Sequence, residues 1–439
     1  MLSYPVRVSL IAALGGFLFG FETAVISGAE KTIEHLWQLN SYWQGFTVAS
    51  SLIGTVVGSI VAGVPAQKYG RRATLKVIAI LYLVSAIGCT LSSFWILFVT
   101  FRFIGGIAVG ASSVVGPMYI SEIAPAKLRG RLAGSFQLNI VAGIFIAYVT
   151  NFFFVGMGEN SWRWMLGVMV IPAGLFTLLL RTIPESPRWL VLNNRDEEAQ
   201  KIFAKTGEPD AAKLVREEHE LSRQGTKESL WSGKFNKPIF FAVALAMFNQ
   251  LSGINAILYY APRIFEMAGF DKAHAYLQPV YIGAANLLFT LLAMSFIDRF
   301  GRKTLLIIGS VGMIVFLALT ANAFRGDISG NKFVLVYLIG FIAFFGFSQG
   351  AVIWVFISEI FPNSVRSQGG SLGSFTHWTM AAIISWTFPI IVEGSANGGF
   401  YSFVFYSAMM LLHLIFVVKF LPETKGKSLE NIQKELGIE

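Results

Sequence analysis

The chain is short of charge and almost without cysteine. Asp, Glu, Lys and Arg make up 13% of its 439 residues, against about 25% in a typical soluble domain. The deficit is uneven. The 57 residues from Arg181 to Lys237 hold 21 of the 59 charges, which leaves 38 for the other 382. One cysteine, Cys89, excludes a disulfide framework within the chain and any cysteine-rich metal site. No Ser-His-Asp order, metal-ligand cluster or phosphate-binding loop stands out, so an enzyme is not expected. Low charge with 54% apolar residues excludes a nucleic-acid-binding domain, an ordinary soluble enzyme and a disordered protein. What remains is a membrane protein with one polar insert.

A membrane-crossing helix needs about 20 mostly apolar residues. Runs of that order lie near 7–29, 42–64, 77–93, 94–118, 133–155 and 163–181, then near 238–262, 275–297, 304–323, 333–357, 370–392 and 399–420. The pattern predicts an all-α integral membrane protein of twelve spans. The domains expected are a six-helix bundle over 1–181, a cytoplasmic helical linker over 182–237, a second bundle over 238–421 and a cytoplasmic tail over 422–439. Within the linker, 208–223 reads as a surface helix. Loops assigned to the inside hold eleven Lys and Arg: Lys68, Arg71, Arg72, Lys76, Lys127, Arg129, Arg131, Arg299, Arg302, Lys303 and Arg366. Loops assigned to the outside hold six: Lys31, Arg163, Arg263, Lys272, Arg325 and Lys332. That asymmetry, with a net charge of +9, places both termini in the cytoplasm.

The two halves repeat each other. Lys68-Tyr-Gly-Arg-Arg-Ala-Thr-Leu75 matches Arg299-Phe-Gly-Arg-Lys-Thr-Leu-Leu306. Tyr119-Ile-Ser-Glu-Ile-Ala-Pro125 matches Phe356-Ile-Ser-Glu-Ile-Phe-Pro362, and Pro184-Glu-Ser186 matches Pro422-Glu-Thr424. A parallel duplication of six-helix units is a transporter architecture, with its site between the halves near mid-membrane. Arg71, Arg72, Arg129, Arg188, Arg302 and Arg366 stand near Glu122, Glu185 and Glu359 in these motifs. They read as a cytoplasmic salt-bridge latch; the plainer reading is positive-inside topology alone.

Only Glu22 and Arg102 are charged deep inside spans. An ionisable group there is costly and marks function by default. If the two face each other, Arg102 favours the ionised carboxylate, and protonation of Glu22 releases the carrier to reorient. The alternative is a static structural pair. Buried amides lie at Gln137, Asn249, Gln250, Asn255 and Asn286. Amides donate and accept without a charge to desolvate, which suits a hydroxyl-rich ligand, though a buried amide also serves as a helix–helix hydrogen bond. Gly253 and Pro262 suggest a broken span with backbone lining a cavity.

These motifs together resemble the sugar porters of the major facilitator superfamily. The resemblance spans almost the whole chain: Gly20-Phe-Glu-Thr-Ala-Val-Ile-Ser-Gly28, Gly70-Arg-Arg72, Pro117-Met-Tyr-Ile-Ser-Glu-Ile-Ala-Pro125, Pro184-Glu-Ser-Pro-Arg-Trp-Leu190, Asn249-Gln-Leu-Ser-Gly-Ile-Asn-Ala-Ile-Leu-Tyr-Tyr260 and Pro422-Glu-Thr-Lys-Gly426. Bacterial proton-coupled xylose and glucose carriers look nearest. The resemblance implies proton-coupled uptake of a hexose or pentose, with the proton as coupling ion and no cofactor or metal; a passive uniporter is the alternative. It assigns sugar binding to Gln137, Gln250, Asn255, Asn286 and Trp354, with Trp378 below Trp354 and Asn249 and His377 at neighbouring positions. Tyr259 and Tyr260 resemble the outer gate. The expected setting is a bacterial inner membrane, with the carrier working as a monomer, in a lipid bilayer and without nucleic acid. The sequence departs from the common pattern. Glu22 stands where proton-coupled porters carry Asp, Asn249 replaces a Gln, His377 stands where Asn or Gln is usual, and Gly350-Ala351 replaces a Gly-Pro.

Overall fold

The structure, a computed structural model, describes residues 3–208, 211–213, 215–217, 228–325, 333–362, 364–427 and 429–438. The side chains of 295–299, 429 and 430, and Lys332, lie outside what is described. Among the described residues the regular structure is helical throughout. Twelve helices are long and apolar enough to cross a membrane. They are Tyr4–Leu36, Ser41–Val61, Arg71–Leu91, Trp95–Ile123, Arg129–Phe154, Ser161–Leu179, Asn236–Tyr259, Lys272–Met294, Arg302–Ala323, Phe333–Ile360, Arg366–Glu393 and Gly398–Phe420, called spans one to twelve below. Helices are what such a composition must form, because a spanning segment in lipid has to satisfy its own backbone hydrogen bonds.

Span one differs from expectation. The apolar run suggests an end near residue 29, yet the helix continues to Leu36. Its 33 residues make a rod of about 50 Å at ~1.5 Å per residue. Lys31, expected in a loop, belongs to this extension. The added turns persist because their charges are paired: Glu30 and Glu34 with Arg263, and Lys31 with Glu266.

Span seven is broken. One helix ends at Leu251, a second runs Ile254–Tyr259, and a third, Ala261–Met267, carries Pro262 in its first turn. Gly253 holds φ +83° at the first break, where the Tyr406 ring occupies the place of any Cβ. Only glycine fits there on both counts. Span ten is broken at Ser348, between Phe333–Phe347 and Gln349–Ile360.

The insert forms Pro187–Leu192, capped by Ser186, whose side chain accepts from Trp189 N, and then Asp196–Thr206. The latter has acids in its first turn, Lys205 in its last and Gly207 left-handed after it, the arrangement that a helix dipole and C-cap favour. Of the surface helix expected over 208–223, residues 211–213 and 215–217 are helical, and 209, 210, 214 and 218–223 are outside the described residues. The tail expected over 422–439 contains a further helix. Helix Leu429–Leu436 follows Pro422, and Ile432, Leu436 and Ile438 join the buried cluster of Leu230, Phe235, Phe356 and Phe361.

Two compact units are present, and they do not coincide with the halves of the chain. One comprises Met1–Glu22, Ile53–Ile144 and Leu166–Lys227; the other comprises Thr23–Leu52, Phe145–Met165 and Glu228–Glu439.

Candidate functional site

In the first unit, Glu22 on span one meets Arg102 on span four. Arg102 is fully buried and Glu22 nearly so, and Arg102 Nη1 donates to Glu22 Oε1. Gly105 makes room: a Cβ there would strike Ser85 Oγ and stand 3.1 Å from Glu22 Oε1. Arg102 Nε and Nη2 are buried with no hydrogen-bond partner among the described residues. Removing either charge of such a pair strands the other in a dry interior, at about 3–5 kcal/mol. Cys89 is buried next to this pair, with Ser85 between.

The second unit gathers neutral polar groups. Gln250 Nε2 donates to Asn249 Oδ1 at 3.0 Å and lies 3.0 Å from His377 Nε2. Gln250 Oε1 is buried without a partner among the described residues, a carbonyl suited to a hydroxyl donor. Trp354 and Trp378 flank the His377 ring, with centroids 5.0 and 4.8 Å away. Trp354 is 37% exposed while His377 is buried. Asn255 follows the Gly253 break, Asn286 lies on span eight, and both are buried. Amides beside a partly exposed indole match a ligand with a hydroxyl rim and weakly apolar faces. Tyr259 and Tyr260 are buried, and Tyr260 OH donates to Ser385 O at 2.9 Å. Gln137 is half-buried on span five and belongs to the first unit.

The repeated motifs form two matched ionic knots, each inside one unit. In the first, Arg71 Nε and Nη2 donate to Glu122 at 2.9 Å, and Ser186 Oγ donates to the same carboxylate. Glu185 accepts from the backbone N–H of Arg72 and of Ser186. In the second, Arg302 Nη2 donates to Glu359 at 2.8 Å, Thr424 Oγ1 donates to Glu359 at 2.6 Å, and Glu423 accepts from the backbone N–H of Arg302 and Lys303. Arg72 does not take the carboxylate partner expected of it. Its guanidinium donates to Leu180 O and Arg181 O, where span six ends and helix carbonyls lack partners. Arg366 Nε donates to Phe361 O, Arg129 Nε is buried without a partner among the described residues, and Arg188 lies on the helix Pro187–Leu192.

One cluster escaped sequence reasoning, which counted Arg263 and Lys31 only as loop charges. Arg263 pairs with Glu30, Glu34 and Glu393, at 2.8 Å for Glu30 and for Glu393. Gln44 Nε2 donates to Glu30 Oε2 at 2.6 Å, and Lys31 pairs with Glu266 alongside. Arg263 and Glu30 are buried. The signal was the i, i+4 spacing of Glu30 and Glu34, which puts both acids on one helix face. Their cation lies 233 residues further on.

The chain matches known proteins along nearly its whole length. The profile of the family described as "Sugar (and other) transporter" covers residues 8–436. The D-xylose-proton symporter of Escherichia coli is 37% identical, covering 98% of this chain and 95% of that one. The arabinose-proton symporter of Bacillus subtilis is 34% identical over 99% and 95%. The glucose transport protein of a Synechocystis strain is 36% identical over 98% and 97%. Among solved structures, the inward open conformation of the Escherichia coli xylose transporter superposes with a TM-score of 0.87 at 35% identity, over 98% of this chain and 100% of that one. With twelve spans and a family profile running from the first to the last helix, the chain belongs to the sugar transporter family and is a multi-pass membrane carrier, not an enzyme.

Proposed function

We propose that this carrier imports a monosaccharide in symport with one proton by alternating access. The observation that carries the coupling is the buried Glu22–Arg102 pair. A carboxylate held against a fully buried guanidinium alternates between two states that differ by one proton. Loss of that charge frees Arg102 from its attraction and lowers the barrier to reorientation. The names of the relatives point the same way, to xylose, arabinose and glucose carriers, two of them named as proton symporters.

In this reading Gln137, Asn249, Gln250, Asn255, Asn286 and His377 hydrogen-bond the sugar hydroxyls. Trp354 and Trp378 wall its apolar faces, and Tyr259 and Tyr260 gate it. The ionic knots, with Arg129, Arg188 and Arg366 nearby, latch the cytoplasmic side. In this reading the carrier sits in a bacterial inner membrane and works as a monomer, and the basic loops support an orientation with both termini in the cytoplasm.

Purified carrier in proteoliposomes tests the reading with labelled xylose and glucose. Uptake above the outside concentration is expected only with an inward proton gradient. Glu22→Gln is expected to retain sugar exchange and to lose accumulation entirely. Wild-type uptake that stops at equilibration with the gradient present, or a Glu22→Gln carrier that still concentrates sugar, would sink the coupling assignment.

A further inference from the structure

Span ten breaks without a proline. Ser348 sits at φ −117°, ψ −89° between two helices, and residue 351, two beyond the following Gln349, is Ala. Sharp breaks have identifiable causes: proline, small residues, or a side chain that pulls the ladder open. Here Ser348 Oγ donates back to Phe344 O at 2.6 Å, a bond that bends helices. Gln349 is drawn into the bundle, 2% exposed, with Nε2 3.2 Å from His413 Nδ1 and 3.3 Å from Met410 Sδ. His413 comes from span twelve and is fully buried. Its Nδ1 also lies 2.8 Å from Ser310 Oγ on span nine.

The backbone of Gln349 faces the amides of span seven. Its main-chain carbonyl accepts from Asn249 Nδ2 at 3.4 Å, and Asn249 Oδ1 accepts from Gln250 Nε2 at 3.0 Å. The Phe248 ring, one residue before Asn249, packs 5.4 Å from the His413 imidazole. A polar chain thus runs from Ser310 through His413, the side chain and then the main-chain carbonyl of Gln349, Asn249 and Gln250 to His377, all inside the second unit. It is kept at a cost. His413 Nε2 and Gln349 Oε1 are buried with no partner among the described residues. Apolar side chains would fill these places without that penalty, so a polar pair held here needs a reason beyond packing.

We infer that His413 is a positioning residue for sugar recognition. It does not touch the sugar. It holds the Gln349 side chain at the span-ten break and so fixes the Gln349 backbone carbonyl, which in turn sets where Asn249 and Gln250 point. Hydrogen-bonding sites discriminate hydroxyl patterns sharply only when their groups are held in place. His413 therefore tunes affinity and the choice among monosaccharides, and leaves proton coupling alone. The inference rests on the sugar-binding reading of Gln250 and Asn249.

The test uses the full-length carrier in proteoliposomes, with KM, maximal exchange rate, the xylose-to-glucose preference and the proton-to-sugar ratio measured for each variant. His413→Leu and Gln349→Leu are each expected to raise KM roughly tenfold, the effect of losing one buried hydrogen bond. Both are expected to shift the sugar preference, keep the maximal exchange rate within about twofold, and leave the proton ratio unchanged. The double variant is expected to be no worse than either single one, because one link is removed in all three. His413→Gln keeps a hydrogen-bonding side chain and is expected to recover most of the affinity. Unchanged KM and preference in His413→Leu overturn the inference. So does a simple sum of losses in the double variant, or failure of all these variants to reach the membrane, which assigns the pair to folding alone. Gln250→Ala separates the two levels: if it still binds sugar with wild-type affinity, the sugar-site reading falls whatever His413 does.

Discussion

The two ionic knots share a sequence pattern and a backbone, yet their carboxylates are not equally buried. Both place a glycine at positive φ before the arginine, Gly70 at +101° and Gly301 at +87°. In both, a carboxylate directly after a proline (Glu185 after Pro184, Glu423 after Pro422) accepts from backbone N–H groups in the first turn of the helix that begins at the arginine. The side chains then diverge. Arg71 grips both oxygens of Glu122 with two nitrogens and sends a third to Ala66 O, whereas Arg302 donates to Glu359 Oε1 from Nη2. The Glu122 side chain is 13% exposed, and that of Glu359 is 27%. Forked, desolvated pairs hold harder than wetter ones. The two copies therefore share the backbone device and differ in the exposure of the carboxylate.

The Arg263 cluster sets the upper end of this scale. One cation there serves three carboxylates in a mostly buried setting. Arg263→Met leaves those acids facing one another and is expected to cost about 4 kcal/mol or more, the largest drop in the melting transition of detergent-solubilised carrier. Combining it with Glu30→Gln and Glu34→Gln is expected to recover over half of that loss. Absence of recovery would mean the cluster acts through packing, not charge.

Glu122→Gln is expected next, at about 3 kcal/mol, because it strips the forked partner from Arg71. Gly70→Ala and Gly301→Ala are expected to be alike, each about 2 kcal/mol, since each forces a side chain into a glycine-only conformation and against a carboxylate. Unequal glycine effects would show that the backbone has drifted too. Glu359→Gln is expected to be the mildest, near 1 kcal/mol, and the most reduced by added salt. Melting curves of the four variants at low and high salt read the whole series. A reversed order of Glu122 and Glu359 would remove the argument from geometry to strength.

Much of this molecule was legible in its residues, and the limits have a physical pattern. Twelve spans followed from runs of apolar side chains, because lipid leaves the backbone no other choice. The break in span seven followed from Gly253 and Pro262, whose backbone limits are local. Glu22 and Arg102 stood out by the cost of charge in a span, and the structure places them in contact. What escaped depends on distant partners. Nothing near Arg263 announces Glu30, and nothing in the last apolar run says that His413 reaches Gln349. The end of span one was misjudged for the same reason: its last turns are held by charge pairs across the fold rather than by their own hydropathy. In the tail, Ile432 and Leu436, four residues apart, supply an apolar stripe that packs.

The one thiol of this carrier also has a practical consequence. Cys89 is 3% exposed and packed within its unit, so a water-soluble maleimide has little to attack in the native protein. A cysteine introduced at a surface position would then be the only reactive handle, without the usual stripping of native thiols. Distance labels and accessibility probes can be read directly on the otherwise natural sequence, with a denatured sample serving as the control that reveals Cys89.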